Sequence, residues 1–111
     1  ESVDLVVSIH MNKFSDPAVS GAMAFYQTGS EEGQKLAQRV IDEVTDATGR
    51  KRRLANPGDY FVLRECACPA VLIECGFLSN AEEEQKLLDP AYQTLLADAI
   101  VRGLLAYLGL G

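Results

Sequence analysis

The sequence predicts an α/β fold, a mostly parallel sheet covered by helices on both faces. Three observations carry that expectation. Residues 5–9 (LVVSI) and 70–73 (AVLI) are short, almost continuously apolar runs bounded by polar residues, the pattern of strands buried on both faces. Segments with apolar residues at helical spacing alternate with them. The chain has 111 residues, 48% hydrophobic and 23% charged, which suits one folded domain and argues against disorder.

The elements follow in order. Residues 5–9 form the first strand and residues 21–27 (GAMAFYQ) a second, with a loop between them that contains Asp16-Pro17. Ser30 opens a helix with Glu31 and Glu32 in its first turn, where the dipole favours acids. Leu36, Ala37, Val40, Ile41 and Val44 make its apolar stripe, and Gly49 stops it. Arg50, Lys51, Arg52 and Arg53 follow at the negative end of that dipole, so they read as a solvated helix end, with an anionic-ligand site as the alternative. Residues 54–59 (LANPGD) are turn-rich, and residues 60–64 (YFVLR) fit either a strand or a helix. Pro69 precedes the strand at 70–73, a position where proline is permitted. Asn80 caps a helix, with Glu83 three residues on completing a capping-box pattern. Asp89 caps the last helix, with Pro90 at its first position. Its stripe runs from Tyr92 through Leu95, Leu96, Ala99, Ile100, Gly103, Leu104, Tyr107 and Leu108 to a stop at Gly109.

Composition excludes several classes of function. Net charge is −6, from 16 acidic and 10 basic residues, so a nucleic-acid partner is not expected. No apolar run approaches the roughly 20 residues that span a bilayer, and residues 1–4 (ESVD) do not open a signal peptide. Cys66, Cys68 and Cys75 are an odd set, expected to be buried thiols neither bonded to one another nor bound to metal. The alternative is a zinc site made from the three thiols and His10, against which stands the CxC spacing.

In open α/β sheets, ligands bind at the carboxyl ends of strands. The run at 5–9 ends in His10 and the run at 70–73 ends in Glu74. If the two strands are parallel neighbours, an imidazole and a carboxylate converge on one edge of the sheet. His10 is the only histidine, and a lone histidine is more often structural than a metal ligand. A carboxylate directly after four apolar strand residues is costly to desolvate unless it is paired, hydrogen-bonded or near a metal. A salt bridge to Arg64 or another arginine is the structural alternative for Glu74. No G-x-S-x-G elbow and no phosphate-binding glycine loop is present, and Cys75 lacks a second histidine to activate it.

At these residues the chain resembles the zinc-dependent N-acetylmuramoyl-L-alanine amidases of bacterial cell walls. The resemblance is carried by residues 4–12 (DLVVSIHMN), by Gly21 and Tyr26, and most specifically by residues 69–80 (PAVLIECGFLSN). The tail that includes Leu87, Tyr92, Gln93, Ala97, Ile100, Gly103 and Tyr107 also fits. The wording from Glu74 to Asn80 is similar to the sporulation and germination branch, which acts on spore cortex.

The resemblance implies that residues 1–111 are the C-terminal portion of an amidase catalytic domain. It implies His10 as the last zinc ligand and Glu74 as the catalytic glutamate, with a histidine and a glutamate upstream completing the zinc site. The reaction it implies is hydrolysis of the amide between N-acetylmuramic acid and L-alanine in peptidoglycan, outside the cytoplasm or in the cell envelope. The isolated stretch is then expected to be inactive and to self-associate, and an activator protein is a further candidate partner. No substrate-binding residue is assigned; the stretches 11–20 and 50–53 flank the expected site and are placed to meet glycan or stem peptide. The alternative function is a non-catalytic peptidoglycan-binding or interaction domain of the same fold.

Overall fold

The computed structural model of the chain describes residues 4–12, 17, 20–50 and 54–110. Its elements are β1 (Val6–Asn12), β2 (Met23–Gln27), α1 (Glu31–Thr48), β3 (Asn56–Gly58), α2 (Phe61–Arg64), β4 (Ala70–Phe77), α3 (Ala81–Leu87) and α4 (Pro90–Leu108). The four strands form one sheet in the order β1-β4-β2-β3. β1 pairs β4 and β2 pairs β3 in parallel, while β2 pairs β4 antiparallel. The expected mostly parallel α/β sheet is therefore present.

β4 is the central strand, and its alternation divides the interior. Val71, Ile73 and Cys75 face a core built with Leu36, Ala37, Val40, Ile41 and Val44 of α1 and Leu96, Ala99 and Ile100 of α4. Ala70 and Leu72 face the other way, against Leu63 of the one-turn helix α2, with Val6 and Phe25 beside them. Helices thus cover both faces, one with two long helices and the other with a single turn. The α1 stripe is buried as its spacing requires. In α4, Leu96, Ala99, Ile100 and Gly103 are buried, whereas Leu95 and Leu108 stay exposed. A Cβ on Gly103 would stand 2.6 Å from the Val40 Cα, so glycine there lets α4 lie against the α1 backbone.

The caps agree with the sequence. The Ser30 hydroxyl accepts from the Gly33 N–H at 2.9 Å, and Gly49 ends α1 in the left-handed region at φ 66°. The Asp89 carboxylate accepts from the Ala91 N–H with Pro90 opening α4.

Several expectations are corrected. The first run lies in an edge strand, which begins at Val6 and not at Leu5, because β1 has a strand partner on one side only among the described residues. Its apolar side chains are therefore half-buried, and Ile9 and Met11 are 56% and 50% exposed. With Leu96 and Ile100 they line an open apolar cleft of about 230 Å³. The turn-rich segment at 54–59 contains β3, which proline tolerates because it is an edge strand whose ladder is short. Residues 61–64 are helical.

Cys66 and Cys68 are joined as a disulfide, contrary to the expectation of two unbonded thiols. The bend before β4 brings their Cα atoms to 5.4 Å, within the range a disulfide spans. Cys75 is a free, buried thiol as expected. Arg50 is not a solvated helix end. Its guanidinium pairs with Glu82 and, at 3.3 Å, with Glu83 of α3. Lys51, Arg52 and Arg53 lie outside the described residues, as does most of the loop between β1 and β2.

Candidate active site

His10 and Glu74 are neither of them at a strand end: β1 continues to Asn12 and β4 to Phe77. They are instead direct register partners on the parallel pair β1–β4. Aligned residues of a parallel pair point to the same face, so the imidazole and the carboxylate share the face that carries Leu72, opposite the α1/α4 core. Met23 of β2 is the register partner of Glu74 on its other side. Every residue of β4 is buried except Glu74, which is half-buried.

The electrostatics of Glu74 follow from this placement. Burial pushes its carboxyl above the usual carboxylate range, and the nearby His10 partly offsets that rise. Its Oε2 is buried and has no hydrogen-bond partner among the described residues. The arginine expected as an alternative partner is engaged elsewhere: Arg64 pairs with Asp59 at 3.2 Å and with Glu65 at 3.5 Å. A buried carboxylate oxygen without a partner is costly. Such atoms are kept where a reacting group or ion completes them.

His10 is exposed, and its Nε2 lies 2.7 Å from the Ser8 hydroxyl two residues back on the same face of β1. Metal-ligating histidines bond a partner through one ring nitrogen while the other ligates, and Ser8 supplies a bond of that kind. Among the described residues no group of three or more His, Cys, Asp or Glu side chains is placed to hold a metal ion. The fit to a catalytic zinc is thus one imidazole with one adjacent carboxylate, short of the three protein ligands such a site uses.

Cys75 is turned to the opposite face and buried in the core. Burial and then the charge of Glu74 push its thiol up to about 11, which leaves it inert as a nucleophile near neutral pH. The thiol–His10 metal site is not assembled, since Cys66 and Cys68 are bonded to each other and Cys75 lies across the sheet from His10.

Sequence reasoning gave Ser8, Met23 and Glu83 no part at the site. Ser8 sits at the i−2 position that any strand places beside His10, so alternation alone could have found it. Met23 depends on pairing between strands that the sequence does not specify. Glu83 reads as a capping-box glutamate, yet its carboxylate does not return to the Asn80 N–H, which donates to the Phe77 carbonyl at 3.0 Å. Its Oε1 accepts from the Phe77 N–H at 2.8 Å and its Oε2 from the Gly21 N–H at 2.9 Å.

Comparison with known proteins shows what the whole chain is similar to. The family model described as N-acetylmuramoyl-L-alanine amidase matches residues 1–106. The germination-specific N-acetylmuramoyl-L-alanine amidase of Bacillus subtilis is 35% identical over 107 residues, 94% of this chain and 44% of that protein. Among solved structures, the CwlD amidase from Clostridioides difficile, in complex with the GerS lipoprotein, aligns with a TM-score of 0.93 and 34% identity, covering 97% of this chain and 56% of that one. An N-acetylmuramoyl-L-alanine amidase from Clostridium difficile 630 aligns with a TM-score of 0.91 and 39% identity, covering 96% and 58%. The chain spans between about a fifth and a half of the length of the curated relatives it matches.

Proposed function

We propose that this chain, which belongs to the N-acetylmuramoyl-L-alanine amidase family, carries the catalytic carboxylate and one metal ligand of a peptidoglycan amidase. The reaction is hydrolysis of the amide between N-acetylmuramic acid and L-alanine, in cell-wall or spore-cortex remodelling outside the cytoplasm. The observation that carries the reading is the Glu74 carboxylate, desolvated and, among the described residues, unpaired at Oε2, set directly across the strand pair from His10. A domain that only bound peptidoglycan would have no use for a half-buried acid at this position.

His10 is the residue of this chain that would hold zinc, with Ser8 orienting its ring. The other ligands come from residues other than those described. When bound, zinc supplies a water of lowered pKa and polarises the scissile carbonyl. Glu74 accepts the proton of the attacking water at its carboxylate and passes it to the leaving amine of L-alanine. A raised carboxyl suits that exchange, because a carboxylate of higher pKa is the stronger base toward the attacking water. The apolar neighbours Leu72 and Met23 on the same face limit water around it.

The test uses the full-length protein, with muropeptide release and metal content measured together. Glu74→Gln should lower turnover by roughly 10²–10⁴-fold and leave zinc content near normal. His10→Ala should lower both. Near-normal turnover with Glu74→Gln would overturn the catalytic role.

The 111 residues by themselves should bind zinc poorly, hydrolyse no peptidoglycan and self-associate. One imidazole is too few ligands for a tight site, and the outer edge of β1 with exposed Ile9 and Met11 offers a strand and apolar surface to another copy. Calorimetry against zinc and light scattering check both points. A lipoprotein accompanies the related amidase of Clostridioides difficile, so an accessory lipoprotein is the partner to test first. Among the described residues no helix is long and apolar enough to cross a membrane.

A further inference from the structure

We propose that the Glu83 carboxylate is a positioning group for the site: it brackets the diverging ends of β2 and β4 and thereby fixes where Glu74 stands. The proposal rests on the reading of Glu74 as the catalytic carboxylate.

Glu83 lies in the first turn of α3, yet it is 3% exposed and its side chain is spent on other elements. The antiparallel β2–β4 ladder runs through Ala24↔Ile73 to Met23↔Glu74. Beyond that pair the two chains part, at Gly21 on one side and Phe77 on the other. The β2–β4 ladder gives the buried Gly21 and Phe77 N–H groups no acceptor there, and a buried N–H needs one. The Glu83 carboxylate takes both, one per oxygen, and so replaces the missing rungs with a single charged acceptor. The Arg50 guanidinium, 3.3 Å from Oε2, balances the charge.

The surrounding residues are fitted to this bracket. A Cβ on Gly76 would stand 3.3 Å from Glu83 Oε1 and 3.3 Å from Leu87 Cδ1, so glycine there makes room for the carboxylate. Asn80 holds the start of α3 by accepting the Glu83 N–H at 3.1 Å, and its Nδ2 donates to the Pro17 carbonyl at 2.9 Å. The first turn of α3 therefore grips the chain at Pro17, Gly21 and Phe77. Gly21 is two residues from Met23, the register partner of Glu74, and Phe77 is three residues beyond Glu74 itself. Without the bracket nothing ties β2 to β4 beyond the Met23↔Glu74 rung, and past Glu74 the strand is held by β1 alone, through Asn12↔Phe77.

Misplacing a reacting group by about 1 Å can cost on the order of 100-fold in rate. In the full-length protein, Glu83→Gln keeps the volume but sets an NH₂ group against an N–H or the Arg50 guanidinium. Its kcat should fall about 10- to 100-fold with KM nearly unchanged, at temperatures where circular dichroism shows the fold intact. Gly76→Ala, which pushes on the same carboxylate, should move kcat in the same direction by less. Leu36→Ala, buried in the α1/α4 core on the face opposite Glu74, is the control: it should lower Tm and leave kcat alone. If Glu83→Gln lowers Tm like Leu36→Ala and leaves kcat alone, Glu83 is structural only and the proposal fails. If Glu83→Gln does not fold, hydrogen exchange of the unsubstituted protein decides: the Gly21 and Phe77 amides should be protected like ladder amides, and exchange as fast as exposed loops overturns the bracket. Full turnover by Glu74→Gln, with kcat lowered in Glu83→Gln, would instead reject the underlying role of Glu74, and the two failures are told apart.

Discussion

The two faces of β4 have opposite characters. On one, Val71, Ile73 and Cys75 lie beneath α1 and α4, among side chains with almost no exposure. On the other, Leu72 and Glu74 stand beside Val6, Phe25 and a single helical turn, and the His10 end of that face is open. One strand thus supplies stability through its odd residues and, in the proposed function, chemistry through Glu74. A rigid covered face is what allows the other to hold a desolvated carboxylate in place, since the cost of Glu74 is met by the burial of its neighbours. A site set on strands is held more precisely than one set on loops.

Substitutions on the two faces should differ in size and in kind. The largest effect on stability is expected from Ile73→Ala, which empties a fully buried position beneath α1. It should cost about 2–5 kcal/mol, read by denaturant unfolding. A loss below about 1 kcal/mol would mean that this face collapses around the gap and is less rigid than the comparison holds.

Gly103→Ala comes next. The new Cβ would meet the Val40 backbone at 2.6 Å, and backbone cannot turn aside as a side chain can. A helix interior gains up to about 1 kcal/mol from alanine, but overpacking costs about 1–3 kcal/mol, so a net loss is expected. A stabilised variant would show that α1 and α4 part easily. On the open face, Ser8→Ala removes the hydroxyl at His10 Nε2 from a partly exposed position and should cost less than about 1 kcal/mol. A larger loss in the same unfolding assay would make that face structural as well.

The smallest signal is a chemical one. Cys75 is buried with its thiol pushed up to about 11, so in the native protein it should react with a thiol reagent at pH 8 far more slowly than after unfolding. Fast labelling of the folded chain would show that the covered face opens readily.

Much of this was legible in the sequence, because it depends on neighbours along the chain. The period of α1, its serine cap and its glycine stop are local, and they agree with the structure. So did the two apolar runs that place His10 and Glu74 on strands, since a β-branched run flanked by polar residues has few other ways to be buried. Residues 4–12 and 69–80, two separated motifs in order, pointed to the family together.

Only the tertiary structure decided the rest, because it depends on which chains lie side by side. It put β1 at an edge, made His10 and Glu74 register partners, and recruited Asn56-Pro57-Gly58 as a strand where the sequence shows a turn. It also sent Arg50 to α3 and the Glu83 carboxylate to Gly21 and Phe77, although local chemistry assigned one to a helix dipole and the other to a capping box. The physical reason is common to these cases. A long polar side chain goes to whatever buried donor or charge would otherwise lack a partner, and those are exposed as needs only when distant strands end together.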